Sequence, residues 1–335
     1  MHKNLEDIHG REVSYMRISV TDRCNLRCTY CAGEGLEFIP HPNILRYEEI
    51  LELMGMARNL GVRKIRFTGG EPFVRKGFAD FMVTAAERYG DLNLCVTTNA
   101  TLIGDHVERL AAAGIKRVNI SLDSLDPEKF KAITGRDHYA VVRENIDRCL
   151  AANMTLKINA VAMKGVNDDE LGDFIEFART HPVDFRFIEF MPVGLETGWD
   201  DSRVWTAAEI LSEARPFAEL VPVTAKGARR HGPARMYEIE GGLGRIGLIS
   251  PYSDHFCSTC NRLRITSDGN LRTCLFSDKV YRLRPALRHP ALGVEKVERI
   301  IRLAGRNKPI GNELLRKMRA ADHGVCKTRM ASIGG

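Results

Sequence analysis

Nowhere in the 335 residues do about eighteen apolar side chains run together, the length a membrane-spanning helix needs. The opening residues, Met1 to His9, lack the apolar core of a secretory signal. No glycine-rich phosphate loop and no low-complexity tract interrupts the chain. A soluble, cytoplasmic protein with no membrane role is therefore expected. In that reducing compartment its nine cysteines are not expected to form structural disulfides, so clustered ones point to metal or redox chemistry and scattered ones to packing. Six are clustered: Cys24, Cys28, Cys31, Cys257, Cys260 and Cys274. Cys95, Cys149 and Cys326 stand alone and read as inert thiols.

Charge is unevenly spread. From Cys257 onward 17 Lys and Arg face 6 Asp and Glu, whereas the preceding chain has 32 against 37. Such a basic end suits an acidic partner, nucleic acid or a phosphorylated substrate, and equally a solvated surface. Short β-rich runs, each followed by an amphipathic helical pattern, begin near Tyr15, Lys64, Leu92, Arg117, Leu156 and Phe185. Apolar Ile50, Leu51, Leu53, Met54, Ala57 and Leu60 show the helical spacing, with Gly61 at the C-cap position. Six βα units in succession predict an α/β fold with a parallel sheet, a partial (βα)6 barrel, with a doubly wound sheet as the rival. After Gly198 the pattern changes to an α+β region: a helix over 207–214, strands near 235–239 and 245–249, and a hairpin turning at 267–270. The expected division is 1–199 and 200–335.

Cys24, Cys28 and Cys31 lie directly after the first strand, where a barrel places its active-site loops. Soft thiolates select iron-sulfur, zinc or copper. A closed zinc site wants a fourth ligand, and the only one at hand is the lone His41. Three thiolates on a four-iron cubane leave one iron open for a small molecule. The CxxxCxxC spacing, with Tyr30 before the last Cys, resembles that of radical S-adenosylmethionine enzymes. In that family the open iron holds the methionine moiety, and one electron yields a 5'-deoxyadenosyl radical.

Polar residues follow the other strands: Gly69-Gly70-Glu71 after the second, Thr97-Thr98-Asn99 after the third, Ser121 and Asp123 after the fourth, Glu189 and Met191 after the sixth. Two glycines permit close backbone approach, and Glu71 suits an ammonium. Singly, such residues are turn-formers or caps. Arg17, Arg66, Lys157 and Arg186 lie within predicted strands, where four unpaired cations would be costly to bury. Pairing with carboxylates or binding a polyanion such as a triphosphate answers that cost.

Cys257 and Cys260, then Cys274 beyond a hairpin, form a second set of three. A zinc ribbon repeats CxxC, and here the second pair is missing. A second open cluster is the expected reading, with His255 as a candidate fourth ligand if the site is instead a closed structural metal.

The ordered set CxxxCxxC, IRFTGGEP, TTN, NISLD, KINAVAMKGVND, FRFIEFMPVG and FCSTCNRLRITSDGNLRTCLF resembles the GTP 3',8-cyclase family, molybdenum cofactor biosynthesis protein A, over essentially the whole chain. The resemblance implies two 4Fe-4S clusters, S-adenosyl-L-methionine as cofactor and GTP as substrate. It implies Cys24, Cys28 and Cys31 on the first cluster, and Cys257, Cys260 and Cys274 on the second, which holds the guanine base. Tyr30, Gly70, Glu71, Ser121 and Met191 are assigned to S-adenosylmethionine. Arg17, Arg66, Thr97, Lys157, Arg262, Leu263 and Arg264 are assigned to GTP, and Arg186, Gly334 and Gly335 to catalysis. It further implies a homodimer, a reductant protein, and a downstream cyclic pyranopterin monophosphate synthase that takes the product. Ala32 and Ala100 depart from the family's usual residues. The alternatives are a peptide-modifying two-cluster radical enzyme, which usually carries more C-terminal cysteines, and a zinc-knuckle nucleic-acid-binding protein, which leaves Gly69-Gly70-Glu71 and the strand cations unexplained.

Overall fold

In the computed structural model, residues 4–31, 37–194, 198–223, 232–320, 326–328 and 330–333 are described. The six expected strands are β1 (Tyr15–Ser19), β2 (Lys64–Thr68), β3 (Asn93–Thr98), β4 (Arg117–Ser121), β5 (Thr155–Ala162) and β6 (Asp184–Glu189), paired in parallel in chain order. Their crossovers carry α1 (Tyr47–Asn59), α2 (Phe78–Arg88), α3 (Val107–Ala112), α4 (Pro127–Thr134), α5 (Tyr139–Ala151) and α6 (Leu171–Thr180). Local chemistry sets their ends. Glu49 accepts the Arg46 N–H at 2.6 Å to open α1, and Gly61 leaves it at φ 94°. Asp126 caps α4 ahead of Pro127, and Gly135 ends it at φ 67°.

Alternation along the strands divides their side chains. On β5, Leu156, Ile158, Ala160 and Ala162 are buried towards the helices, while Lys157, Asn159 and Val161 are half-buried on the other face. The main core lies on the helix side and includes Met16, Ile18, Ile65, Phe67, Phe185 and Phe187. The opposite face is left to polar side chains.

The later chain does not stand apart. Past α7 (Ala207–Ala214) come β7 (Leu220–Pro222), β8 (Arg235–Ile239), β9 (Arg245–Ile249), β10 (Arg262–Ile265), β11 (Asn270–Arg272) and β12 (Val280–Arg282). Strand β9 joins β6 in parallel, and β10 joins β1 in parallel, so both edges of the six-stranded unit are extended. One sheet of twelve strands results, in the order β12-β11-β10-β1-β2-β3-β4-β5-β6-β9-β8-β7. The six-stranded unit is thus extended at both edges by strands from the C-terminal region. Helices α8 (Arg284–Arg288), α9 (Gly293–Arg306), α10 (Gly311–Ala320) and α11 (Met330–Ile333) complete the described chain. Arg288 donates to both oxygens of Glu49, at 2.6 and 3.0 Å, fastening α8 to α1.

Candidate active site

Strand direction places the two cysteine triads at opposite ends of the sheet. Cys24, Cys28 and Cys31 follow the C-terminal end of β1, whereas Cys257 and Cys260 precede the N-terminal end of its parallel neighbour β10. Cys274 follows β11, which runs antiparallel to β10 and so ends on the same side as Cys260. Each triad opens into a cleft, of about 1540 Å³ at the first and about 920 Å³ at the second, open solvent included. Arg17, Ile188, Met191 and Met330 line both, so the clefts meet inside the barrel.

At the first triad the donors are soft, close in sequence and shielded. Burial pushes the Cys24 thiol up, pushes Cys28 well above its ordinary range, and raises Cys31 to about 12, with Asp123 and the neighbouring sulfurs adding to the effect on the last two. Three thiolates form there only with a cation bound between them, which is what a cationic iron-sulfur core supplies. The Cys31 sulfur also receives the Ala331 N–H, bringing the end of the chain over this cleft.

Around it stand the strand-end residues. Gly69 and Gly70 line the cleft and pack tightly on the loop after β1, where a Cβ on Gly70 would meet the Arg23 carbonyl oxygen at 2.3 Å and one on Gly69 the Thr21 oxygen at 2.7 Å. The Tyr30 hydroxyl donates to Asp123 Oδ2 at 2.7 Å, and Asp123 Oδ1 accepts the Val161 N–H at 2.8 Å. Burial raises Asp123 to about 6 despite both bonds. Ser121 and Met191 line the same cleft. The side-chain oxygens of Thr68 and Asn159, both cleft residues, are buried without a hydrogen-bond partner, as polar atoms awaiting a ligand would be.

Glu71 and Leu263, two of the assigned residues, do not line the clefts. Glu71 is fully buried, does not line the cleft, and accepts from Thr98 Oγ1 at 2.8 Å, Asn99 N at 2.6 Å and Phe73 N at 3.0 Å. Its carboxylate, raised to about 7 by burial, braces the β2 and β3 turns. Leu263 is fully buried in the main core, since alternation sends it to the opposite face from Arg262 and Arg264. Gly334, Gly335 and Ala32 lie outside the described residues. Ala100 has φ 61°, a left-handed conformation that glycine adopts freely and that costs alanine about 1 kcal/mol.

Between the triads the barrel is lined with cations. Register sets Arg264, Arg17 and Arg66 abreast on β10, β1 and β2. Arg17 and Arg66 each donate an Nε–H to the Tyr15 hydroxyl, at 3.3 and 2.8 Å, and the Lys64 ammonium lies 5.0 Å from the centre of its ring. Burial would raise the Tyr15 phenol, but Arg66, Arg17 and Lys64 outweigh it and bring it down to about 7. Burial, with Arg17 and Arg262 beside it, holds Arg264 well below the arginine range. Arg66 also reaches Thr97 Oγ1 at 3.3 Å. On the far wall Asp184 pairs with Lys157 at 3.2 Å, Arg186 at 3.0 Å and Arg245 at 2.7 Å. One carboxylate shared by three cations leaves that wall positive. Arg17, Arg262 and Arg264 line the second cleft and Thr97 the first, while Arg66, Lys157 and Arg186 stand behind their lining. Tyr15, Lys64 and Asp184 were missed in the sequence, although each stands two residues before a noted cation and so shares its face.

Around the second triad a Cβ on Gly311 would lie 3.0 Å from the Cys274 sulfur and 3.3 Å from that of Cys257, so these two sulfurs converge. Burial raises the Cys274 thiol, whereas at Cys260 Arg262 and Lys308 outweigh burial and bring it to about 6. His255 lines this cleft with a buried, unpartnered Nδ1. Three half-buried soft donors again fit an iron-sulfur group. Among the described residues, no helix is long and apolar enough to cross a membrane.

Comparison with known proteins agrees with this layout. Residues 18–178 match the model of the radical SAM superfamily, and residues 183–314 match that of Molybdenum Cofactor Synthesis C. GTP 3',8-cyclase of Alkaliphilus oremlandii is 40% identical over 99% of this chain and 100% of its own length. GTP 3',8-cyclase of Syntrophomonas wolfei is 46% identical over 84% of this chain and 87% of its own. SuiB of Streptococcus suis, solved with S-adenosylmethionine bound, shares the fold at a TM-score of 0.61 and 17% identity, covering 86% of this chain and 67% of its own. The family suggested by the motifs is borne out: the chain belongs to the GTP 3',8-cyclase family within the radical S-adenosylmethionine superfamily.

Proposed function

We propose that this chain converts GTP to (8S)-3',8-cyclo-7,8-dihydroguanosine 5'-triphosphate, a cyclisation in molybdenum cofactor biosynthesis. The observation that supports it most is a cation-lined passage joining two thiol triads at opposite ends of one barrel. A 4Fe-4S cluster on Cys24, Cys28 and Cys31 would supply the electron that splits S-adenosylmethionine into methionine and a 5'-deoxyadenosyl radical, and a second on Cys257, Cys260 and Cys274 would hold the guanine. The chain's own residues do the rest. Gly69 and Gly70 bring backbone against the methionine moiety, and Ser121, Asn159 and Asp123 offer acceptors and donors for the nucleoside. Arg17, Arg66, Lys157, Arg262 and Arg264 attract and orient the triphosphate, with Thr97 and Tyr15 fixing Arg66. Arg186 stands on the same wall, kept in place by Asp184. The remaining proposals are cytoplasmic location, a homodimer, a separate reductant protein, product transfer to cyclic pyranopterin monophosphate synthase, and catalytic roles for Gly334 and Gly335.

The test is anaerobic turnover with GTP deuterated at C3'. Deuterium in 5'-deoxyadenosine is the expected result; unlabelled 5'-deoxyadenosine alone would refute GTP C3' as the hydrogen donor. Replacing Cys28 by Ala should abolish S-adenosylmethionine cleavage, while replacing Cys274 should impair cyclisation more than cleavage. Equal loss of iron from both sites in either variant would end that division.

A further inference from the structure

The two triads sit in opposite electrostatic surroundings. The first cleft is lined by Asp22, Asp123 and Glu189 beside Arg17 and Arg27. The second is lined by Arg11, Arg17, Arg262, Arg264 and Lys308, with no carboxylate among its lining residues. One of these cations is held differently from the rest. Arg11 is neutralised by Asp7 at 2.5 Å and spends its other N–H groups as a clamp, on Cys257 O at 2.7 Å, Lys308 O at 2.8 Å and Pro309 O at 3.1 Å. Arg262 lies 4.7 Å from the centre of the Phe256 ring. Lys308 has no acid. It is 2% exposed, and among the described residues its ammonium finds one acceptor, Thr273 O at 2.8 Å, in the residue before Cys274.

An ammonium carries three donors, and burying it without a counter-charge costs several kcal/mol. The chain accepts that cost at a particular place. Residues 308–311 form part of the wall around the triad: Lys308 lines the cleft, and Gly311 presses against the Cys257 and Cys274 sulfurs. The Arg11 clamp holds this wall to the Cys257 backbone, so its position is built rather than incidental. The anion that would satisfy Lys308 is the thiolate group with which it shares this cleft, since its ammonium is already held at the residue before Cys274.

We propose that Lys308 is the charge partner of the second iron-sulfur site, stabilising the cluster on Cys257, Cys260 and Cys274 and favouring its one-electron-reduced form. This rests on the reading that the second triad holds a cluster. Three thiolates leave a 4Fe-4S core with net negative charge, and adding one electron from an external reductant makes it more negative. A nearby fixed cation therefore favours both assembly and reduction. An opposite charge within about 4–6 Å is worth about one to three powers of ten in a charge equilibrium.

The test uses the full-length chain with Cys24, Cys28 and Cys31 replaced by Ala, so that only the second site is loaded, reconstituted anaerobically with iron and sulfide. Lys308→Met and Lys308→Arg are compared with that parent by electron paramagnetic resonance during titration with dithionite and mediators, and by iron loss to a chelator. Lys308→Met should lower the reduced-to-oxidised ratio at fixed potential about tenfold, equal to 59 mV for a one-electron couple, and lose iron faster; Lys308→Arg should stay near the parent. If Lys308→Met holds no cluster while Lys308→Arg does, the iron count carries the same conclusion. Equal potentials and iron retention in all three would overturn the role of Lys308, as would Met and Arg variants impaired alike. A parent that binds no iron would overturn the two-cluster reading itself, and this inference with it.

Discussion

Tyr15 is the residue on which the cationic wall converges. Its phenol, brought to about 7 by Arg66, Arg17 and Lys64 against the pull of burial, is a counter-charge that the protein can hold or neutralise near neutrality. Since the folded value lies below the unfolded value of about 10, the stabilisation it brings is fully present above that value and fades as pH falls through 7. The tyrosinate absorbance of the folded protein should therefore titrate near neutrality, and Tyr15→Phe should remove that step; a first tyrosine ionisation only near 10 in the wild type would refute it. Asp184 answers Lys157, Arg186 and Arg245 with one carboxylate. Burial pushes it up, but the three cations hold it below the usual carboxylate range. Asp184→Asn leaves the inner pair, Lys157 and Arg186, without an acid, and a loss of about 3 kcal/mol in denaturant unfolding is expected; Arg245, more exposed, is given no share. Stability from Asp184 should be present above the unfolded carboxylate range and disappear as pH falls through the depressed folded value.

At the scale of elements, turns decide what the strands can offer. Gly70 has no room for a methyl, because the Arg23 carbonyl oxygen stands 2.3 Å from where it would be. Gly70→Ala must move backbone, which costs about 1–3 kcal/mol, and S-adenosylmethionine affinity measured calorimetrically should fall with it. Unchanged affinity would show that this turn does not touch the cofactor. The strands themselves were readable in the sequence, and β2 and β4 run over the expected residues, because alternation and the helical patterns between them are local signals. Arg17 and Lys157 were visible as cations out of place in a strand. The burial of Leu263 follows from alternation, which separates it from Arg262 and Arg264. No sequence signal shows that Thr98 and Asn99, at the end of another strand, donate to Glu71.

For the whole molecule, the extension of the six-stranded unit at both edges was not legible. The partners of β10 are residues 15–18, and no periodicity reports a pairing across so much chain. That pairing makes the C-terminal region part of the same folding unit. A chain ending at residue 256 would leave β1 with a bare edge beside fully buried Met16 and Ile18. Such a truncation should be recovered in the insoluble fraction, and a soluble, cooperatively melting product would show that the six N-terminal strands fold alone.

The same pairing sets a clock during synthesis. At about 5–20 residues per second, about 10–50 s separate the emergence of Cys31 from that of Ile265, the last residue of β10 to pair with β1. Through that interval the first three thiols are on a nascent chain whose wall is unfinished.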